Sequence, residues 1–155
     1  MSAKEVSMKR EIFILLIITA LFLGGCASVP MANIERDNMA KTFAPQSDKA
    51  NIYVYRNETF GAAIKLPVAL DGRLIGDTAA KTYFLLVVPP GEHKLITKAE
   101  NDAILPLMVE AGRNYFVWQE VKMGLWAARS NLQLVDEATG RKGVEECKLI
   151  EETKY

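Results

Sequence analysis

The side chains best suited to nucleophilic, acid–base or metal chemistry are scarce in this 155-residue chain: one histidine, His93, and two cysteines, Cys26 and Cys147. A lone histidine cannot build a multi-histidine metal site, and two thiols cannot staple a disulfide-dense scaffold. A nucleophilic triad would have to use His93 as its base, yet no G-x-S-x-G elbow supplies the serine. His93 follows Pro89-Pro90-Gly91-Glu92. It is therefore expected at a strand start, packed behind a turn and donating a hydrogen bond to a nearby carbonyl. Cys147 reads as a small buried apolar side chain, with oxidation or an intermolecular bridge as the alternative in an oxidising compartment. Asp71 and Asp77 bracket an Asp-Gly hairpin and could pair, but the turn accounts for the first and the next loop for the second. Glu145-Glu146 and Glu151-Glu152 read as solvated acidic surface. A D-x-D-x-D-G calcium loop and a glycine-rich phosphate loop are both absent from the sequence. No catalytic, cofactor-binding or metal residue is expected, and the chain reads as a non-enzyme that needs no cofactor.

Composition narrows the class further. Nineteen basic residues balance nineteen acidic ones, which removes the electrostatic footprint of a nucleic-acid binder. Half of the residues are hydrophobic, enough for one globular domain and too many for a disordered chain.

Part of that apolar content lies at the N-terminus and has a different meaning. Lys4, Lys9 and Arg10 precede an unbroken apolar run from Ile12 to Leu23. Twelve helical residues reach about 18 Å, short of the roughly 30 Å core of a bilayer. A secretory signal peptide over residues 1–25 fits better than a membrane span. Met8-Lys9-Arg10 would serve equally well as a start. Leu23-Gly24-Gly25-Cys26 resembles the bacterial lipobox, in which the cysteine sulfur receives diacylglycerol and the chain is cut before it. That resemblance implies lipidation of Cys26 and a membrane partner engaged through its acyl chains. Several chains satisfy the requirement that one chain alone anchors only marginally. Ala27 after the cysteine, by resemblance to lipoproteins of two-membrane bacteria, implies export to the outer membrane, with the domain on the periplasmic side by default. Removing residues 1–25 takes three basic and two acidic groups, leaving 16 against 17 and a net charge of −1.

Residues 26–48 contain Pro30 and Pro45 and show no sustained period, so they are expected to form a flexible tether behind the lipidated cysteine. The pattern changes from residue 49. Asn51–Arg56 is β-branched and aromatic, and Leu66, Val68 and Leu70 alternate into Asp71-Gly72, a strong hairpin signal. Pro67 is expected at a sheet edge or a bulge. Thr82–Val88 is apolar on both faces and reads as a central strand. His93–Lys98, Ala103–Glu110, Asn114–Val121 and Leu125–Val135 complete the set. Seven to eight short strands predict a mainly β fold, an antiparallel β-sandwich spanning residues 49–155. Asp136 should cap a short C-terminal helix through Cys147, in which Gly140 and Gly143 weaken the helix by about 1 kcal/mol each, so that packing must hold it. Of the aromatic sets Tyr53/Tyr55 and Phe116/Trp118, one is expected in the core and the other as a possible platform for a partner or glycan, with Trp126 after the Met123-Gly124 turn.

The order Tyr53-Val54-Tyr55-Arg56, Val68-x-Leu70-Asp71-Gly72, Pro90-Gly91-x-His93 and Ala111-Gly112-x-x-Tyr115-Phe116-Val117 resembles an uncharacterised family of bacterial envelope lipoproteins, catalogued as a domain of unknown function. The Asp-Gly and Pro-Gly-x-His elements are also similar to the PEGA domain, a small surface β-sandwich. The family carries no agreed catalytic residues, so the resemblance transfers no active site. The lack of a catalytic constellation in the sequence, together with a fold commonly used for adhesion and interaction, points to a lipid-anchored binding or scaffolding module whose partner is another envelope protein or a glycan. A carrier or sensor holding a lipid or glycan fragment between the sheets is the alternative, and a large apolar pocket there would favour it.

Overall fold

Every side chain of Ala50–Arg56 (β1) is withdrawn from solvent, so both faces of this strand must be covered. The computed structural model describes residues 27–152. In it β1 pairs antiparallel with Thr82–Val88 (β4) and parallel with Asn114–Met123 (β7). Ala128–Val135 (β8) flanks β7, and the two-residue Lys148–Leu149 (β9) runs parallel to β4. The resulting five-stranded sheet has the order β8-β7-β1-β4-β9. Leu66–Leu70 (β2), Arg73–Thr78 (β3), Gly91–Lys98 (β5) and Asp102–Val109 (β6) form a four-stranded antiparallel sheet of order β3-β2-β5-β6. The chain is the mainly β sandwich that its patterning predicts. Nine strands form among the described residues, because β9 is too short to leave a pattern. The β1–β7 and β4–β9 pairings are parallel, a choice that alternation cannot reveal because it encodes faces and not neighbours.

Turn chemistry sets the register of the smaller sheet. Asp71 and Gly72 both take left-handed backbone conformations, with φ of 51° and 83°, and close the Leu70–Arg73 pair as a primed turn. Pro67 lies in an interior strand, beside a register shift at Val68/Ala69, where pairing with β5 has not yet begun. Its missing N–H therefore costs no ladder bond, and the bulge expectation describes it better than the edge.

Between the sheets, Ile52, Val54, Val68, Ile75, Phe84, Leu95 and Val117 are fully buried. One polar bridge crosses this interior. Thr78 Oγ1 lies 2.5 Å from Gln119 Oε1, and Gln119 Nε2 donates to Thr97 Oγ1 at 2.8 Å. Gln119 belongs to the larger sheet and both threonines to the smaller, so these bonds fix how the two sheets sit while leaving the amide satisfied.

The outer face of the larger sheet is a second core. Tyr53, Tyr55, Phe116 and Trp118 share it, since the parallel register sets Tyr53 against Phe116 and Tyr55 against Trp118. The two aromatic sets therefore form one covered layer and no open platform. Tyr53 and Phe116 stack with ring centroids 5.0 Å apart. Two helices cover the layer, Ile34–Ala40 (α1) and Glu137–Glu145 (α2).

The expected tether is thus overturned over its described part, residues 27–48. Asn33 caps α1 by accepting from the Arg36 amide, and Phe43 is buried against Tyr53 and Phe116. Met31 bridges to Ile150, and the Ala32 amide donates to the Leu149 carbonyl. Asp37 is the central tie. Its carboxylate accepts from the Tyr83 hydroxyl at 2.8 Å, the Leu149 amide at 3.0 Å and the Lys41 ammonium at 2.9 Å. Burial pushes this carboxyl up, but the Lys41, Tyr83 and Leu149 hydrogen bonds outweigh burial and hold it below the usual carboxylate range. These partners lie more than forty residues away along the chain for Tyr83 and Leu149, so no local period announces the docking.

The C-terminal helix forms as expected, with Asp136 accepting from the Thr139 amide at its N-cap. Its glycines have a packing role. A Cβ at Gly140 would overlap the Phe116 side chain, and one at Gly143 would overlap the Tyr55 ring. Glycine lets the helix lie directly on the aromatic layer. Gly143→Ala should therefore destabilise the domain by about 1–3 kcal/mol through overpacking, although alanine is the better helix former. Denaturant unfolding tests this, and an unchanged or raised midpoint would show that the close approach carries no weight.

Candidate binding surface

The helices cover the larger sheet and leave the outer face of the smaller one open. Strand alternation sends Leu95, Thr97, Leu107 and Val109 inward, and Lys94, Ile96, Pro106 and Met108 outward. The β5–β6 register places Ile96 opposite Ile104, Lys94 opposite Pro106, and Glu92 opposite Met108. Ile104 is 58% exposed and Met108 63%, so an apolar stripe faces solvent. Two hollows flank Ile96. One, of about 700 Å³, runs along β5 and β6 to the Asp71-Gly72 turn; the other, of about 330 Å³, lies over Ala69 and Leu74. Contiguous exposed apolar surface with a charged rim is the physical signature of an interaction face.

His93 stands at the end of the larger hollow. Its Nε2–H donates to the Pro89 carbonyl at 2.9 Å, the carbonyl bond that the turn reading anticipates, and its Nδ1 lies 2.7 Å from Asp71 Oδ2. Asp71 Oδ1 also accepts from the Lys94 amide at 2.7 Å. Both ring partners are acceptors, so the doubly protonated imidazolium satisfies both at once. Burial alone would lower the His93 pKa, but the Asp71 hydrogen bond, the Pro89 carbonyl and the Asp71 charge raise it above the ordinary 6.5. Burial would raise the Asp71 pKa, and its bonds to His93 and the Lys94 amide hold it below the ordinary 3.8. The pair clamps the β2–β3 turn to the start of β5. Both ring nitrogens are already engaged within the clamp, and the hollow's other lining residues are Gly72, Glu92, Lys94, Ile96, Pro106, Leu107 and Met108, which carry no hydroxyl or thiol.

The remaining sequence candidates disperse. Asp77 lies near the far end of β3 from Asp71, so the two carboxylates do not meet. Cys147 is buried in the aromatic core, and burial pushes its thiol up to about 12. Glu146 pairs with Lys81 and Glu151 with Arg36, both at the surface. Among the described residues, no three His, Cys, Asp or Glu side chains gather as a metal site. Cys26 lies outside the described residues. Sequence reading missed the open stripe, because single apolar residues at 96, 104 and 108 do not show that they are neighbours on one uncovered face.

The His93–Asp71 clamp carries a pH signature. A raised histidine pKa contributes stability that is full below about 6.5 and is lost as pH rises through the folded value; the depressed Asp71 pKa loses its share as pH falls through its own. His93→Gln should lower the melting temperature modestly, on the scale of one hydrogen bond at about 0.5–1.5 kcal/mol. It should also flatten the wild-type decline above neutral pH. Melts from about pH 5 to about pH 9 compare the two, and parallel profiles would remove the pair from any pH-dependent role.

Comparison with known proteins gives kinship without an activity. A curated relative from Haemophilus influenzae, described as an uncharacterized protein, is 37% identical over 127 residues, covering 81% of this chain and 76% of its own. No solved structure matches. Residues 46–131, which span β1 to β7 and the start of β8, match the family described as protein of unknown function (DUF2846), and the chain belongs to that family.

Proposed function

We propose that this chain is a lipid-anchored protein of the bacterial cell envelope, a non-enzymatic binding or scaffolding module held by acyl chains on Cys26. The observation that carries the reading is Leu23-Gly24-Gly25-Cys26 directly after a basic start and a twelve-residue apolar run. A small extended Gly-Gly pair suits a peptidase groove, and a thiolate is nucleophilic enough to accept the lipid. Ala27 after the cysteine supports delivery to the outer membrane, with the domain in the periplasm.

The partner is another envelope protein, met by the open face of the smaller sheet. Ile96, Ile104, Pro106 and Met108 offer aliphatic contact there, with no exposed aromatic ring to stack on a sugar. The carrier alternative finds less support, since fully buried side chains such as Ile52, Val68, Phe84 and Leu95 fill the space between the sheets.

Two measurements test the two halves. Cys26→Ser should abolish the acylated form, read as loss of the lipid mass and of detergent-phase partitioning; an unchanged mass and partition would refute the anchor. A photoreactive residue placed at Met108 should trap a protein adduct in intact cells, while the same residue at the exposed Glu137 on α2 should not. Equal trapping at both positions would remove the sheet face from the binding role.

A further inference from the structure

Four large apolar side chains stand in water together at one end of the sandwich. Trp126 is 95% exposed, Leu125 88%, Met123 80% and Phe60 52%. Single exposed apolar residues are ordinary, but these four share one surface hollow of about 310 Å³ between the β1–β2 and β7–β8 loops.

Both loops are built to hold this arrangement. The Arg56 guanidinium is fully buried and donates to the carbonyls of Ile64 at 2.8 Å, Phe60 at 3.1 Å and Gly61 at 2.6 Å, which shapes the β1–β2 loop. Across the hollow, the Glu100 carboxylate accepts from the amides of Leu125 at 3.2 Å and of Trp126 and Ala127 at 2.8 Å each. Those three bonds satisfy the amides of the loop tip and fix its backbone.

The position of this tip relative to the anchor decides what meets it. The Ala27 amide donates to the Ala62 carbonyl at 3.0 Å, two residues from Phe60. Val29 is already buried in the main core. No spacer therefore separates Cys26, covalently joined to Ala27, from the end of the domain that carries the tip. Acyl chains at Cys26 would bring this end against the lipid surface. We propose that Phe60, Met123, Leu125 and Trp126 insert into the interfacial layer of that same membrane, as a second contact that fixes how the domain stands on it. The proposal rests on the lipid-anchor reading.

The chemistry suits a membrane interface. Tryptophan is enriched at the headgroup level, and leucine and methionine beside it gain from leaving water. Charges around the tip have both signs, with Lys122 and Arg129 beside Glu58 and Glu100, so the contact is apolar and needs no anionic lipid.

Trp126 is its own probe. Full-length protein, processed in a bacterial host and reconstituted in zwitterionic phosphatidylcholine vesicles, is compared with vesicles of the same lipid brominated in its acyl chains. Trp118, the other tryptophan, lies five residues up β7 from Met123, about 16 Å away at strand rise. Brominated lipid should quench the wild type down to the emission of the Trp126→Phe variant, and should leave that variant unchanged. Leu125→Glu should abolish the quenching while the acylated chain stays on the vesicles. An acylated, vesicle-bound wild type whose Trp126 is unquenched would overturn the proposal and leave the anchor reading standing. Trp126 emission that shifts with protein concentration in detergent alone would assign the tip to a second copy of the chain, and overturn it as well. The intact mass of the mature chain judges the anchor separately: without lipid on Cys26, that reading fails and takes this proposal with it.

Discussion

Burial of β1 on both faces is the constraint on which the rest of this structure depends. Its inward side chains, Ile52 and Val54, meet the smaller sheet, while Tyr53 and Tyr55 point the other way with Phe116 and Trp118 beside them. Leaving this group of four aromatic side chains uncovered on one sheet face would forgo the apolar burial they supply. A third layer is therefore required. It is assembled from α1 and α2, drawn from the two ends of the described chain.

Three buried polar groups then fix what hydrophobic contact alone would leave free to slide. Gln119 joins the two sheets through Thr78 and Thr97. Asp37 holds α1 to β4 and β9 through Tyr83 and Leu149. Arg56 closes the β1–β2 loop on three carbonyls, and burial lowers its pKa. Gln119 and Asp37 tie together elements distant in sequence, while Arg56 orders the loop that follows its own strand, and all three act through directional hydrogen bonds. Specificity of this kind lets a small sandwich present fixed surfaces rather than an ensemble.

Those surfaces are separated by the length of the strands. The parallel register of β1 and β7 sends the β1–β2 loop, the β7–β8 loop and Ala27 to one end. The His93–Asp71 clamp and the hollow beside it lie at the other. The open face of the smaller sheet runs between these two ends.

How much of this was legible in the sequence follows from the range of the interactions. Strand positions, the Asp71-Gly72 turn, the Asp136 cap and the strand-start place of His93 are set by residues within a few positions of one another, and periodicity and turn chemistry report such local preferences directly. The resemblance of Leu23-Gly24-Gly25-Cys26 to a lipobox likewise rests on a contiguous string, readable without any fold. Tertiary structure alone decided the fate of residues 27–48: nothing local marks Asp37 or Phe43 as buried, because their partners are Tyr83, Leu149 and Phe116. It also decided which glycines are packing sites, which aromatics are covered, and that Trp126 shares a hollow with Phe60, itself two residues from Ala62, the partner of Ala27. The physical reason is the same each time. A one-dimensional pattern tells which side of a strand is apolar, while only the three-dimensional packing determines whether another element arrives to cover it.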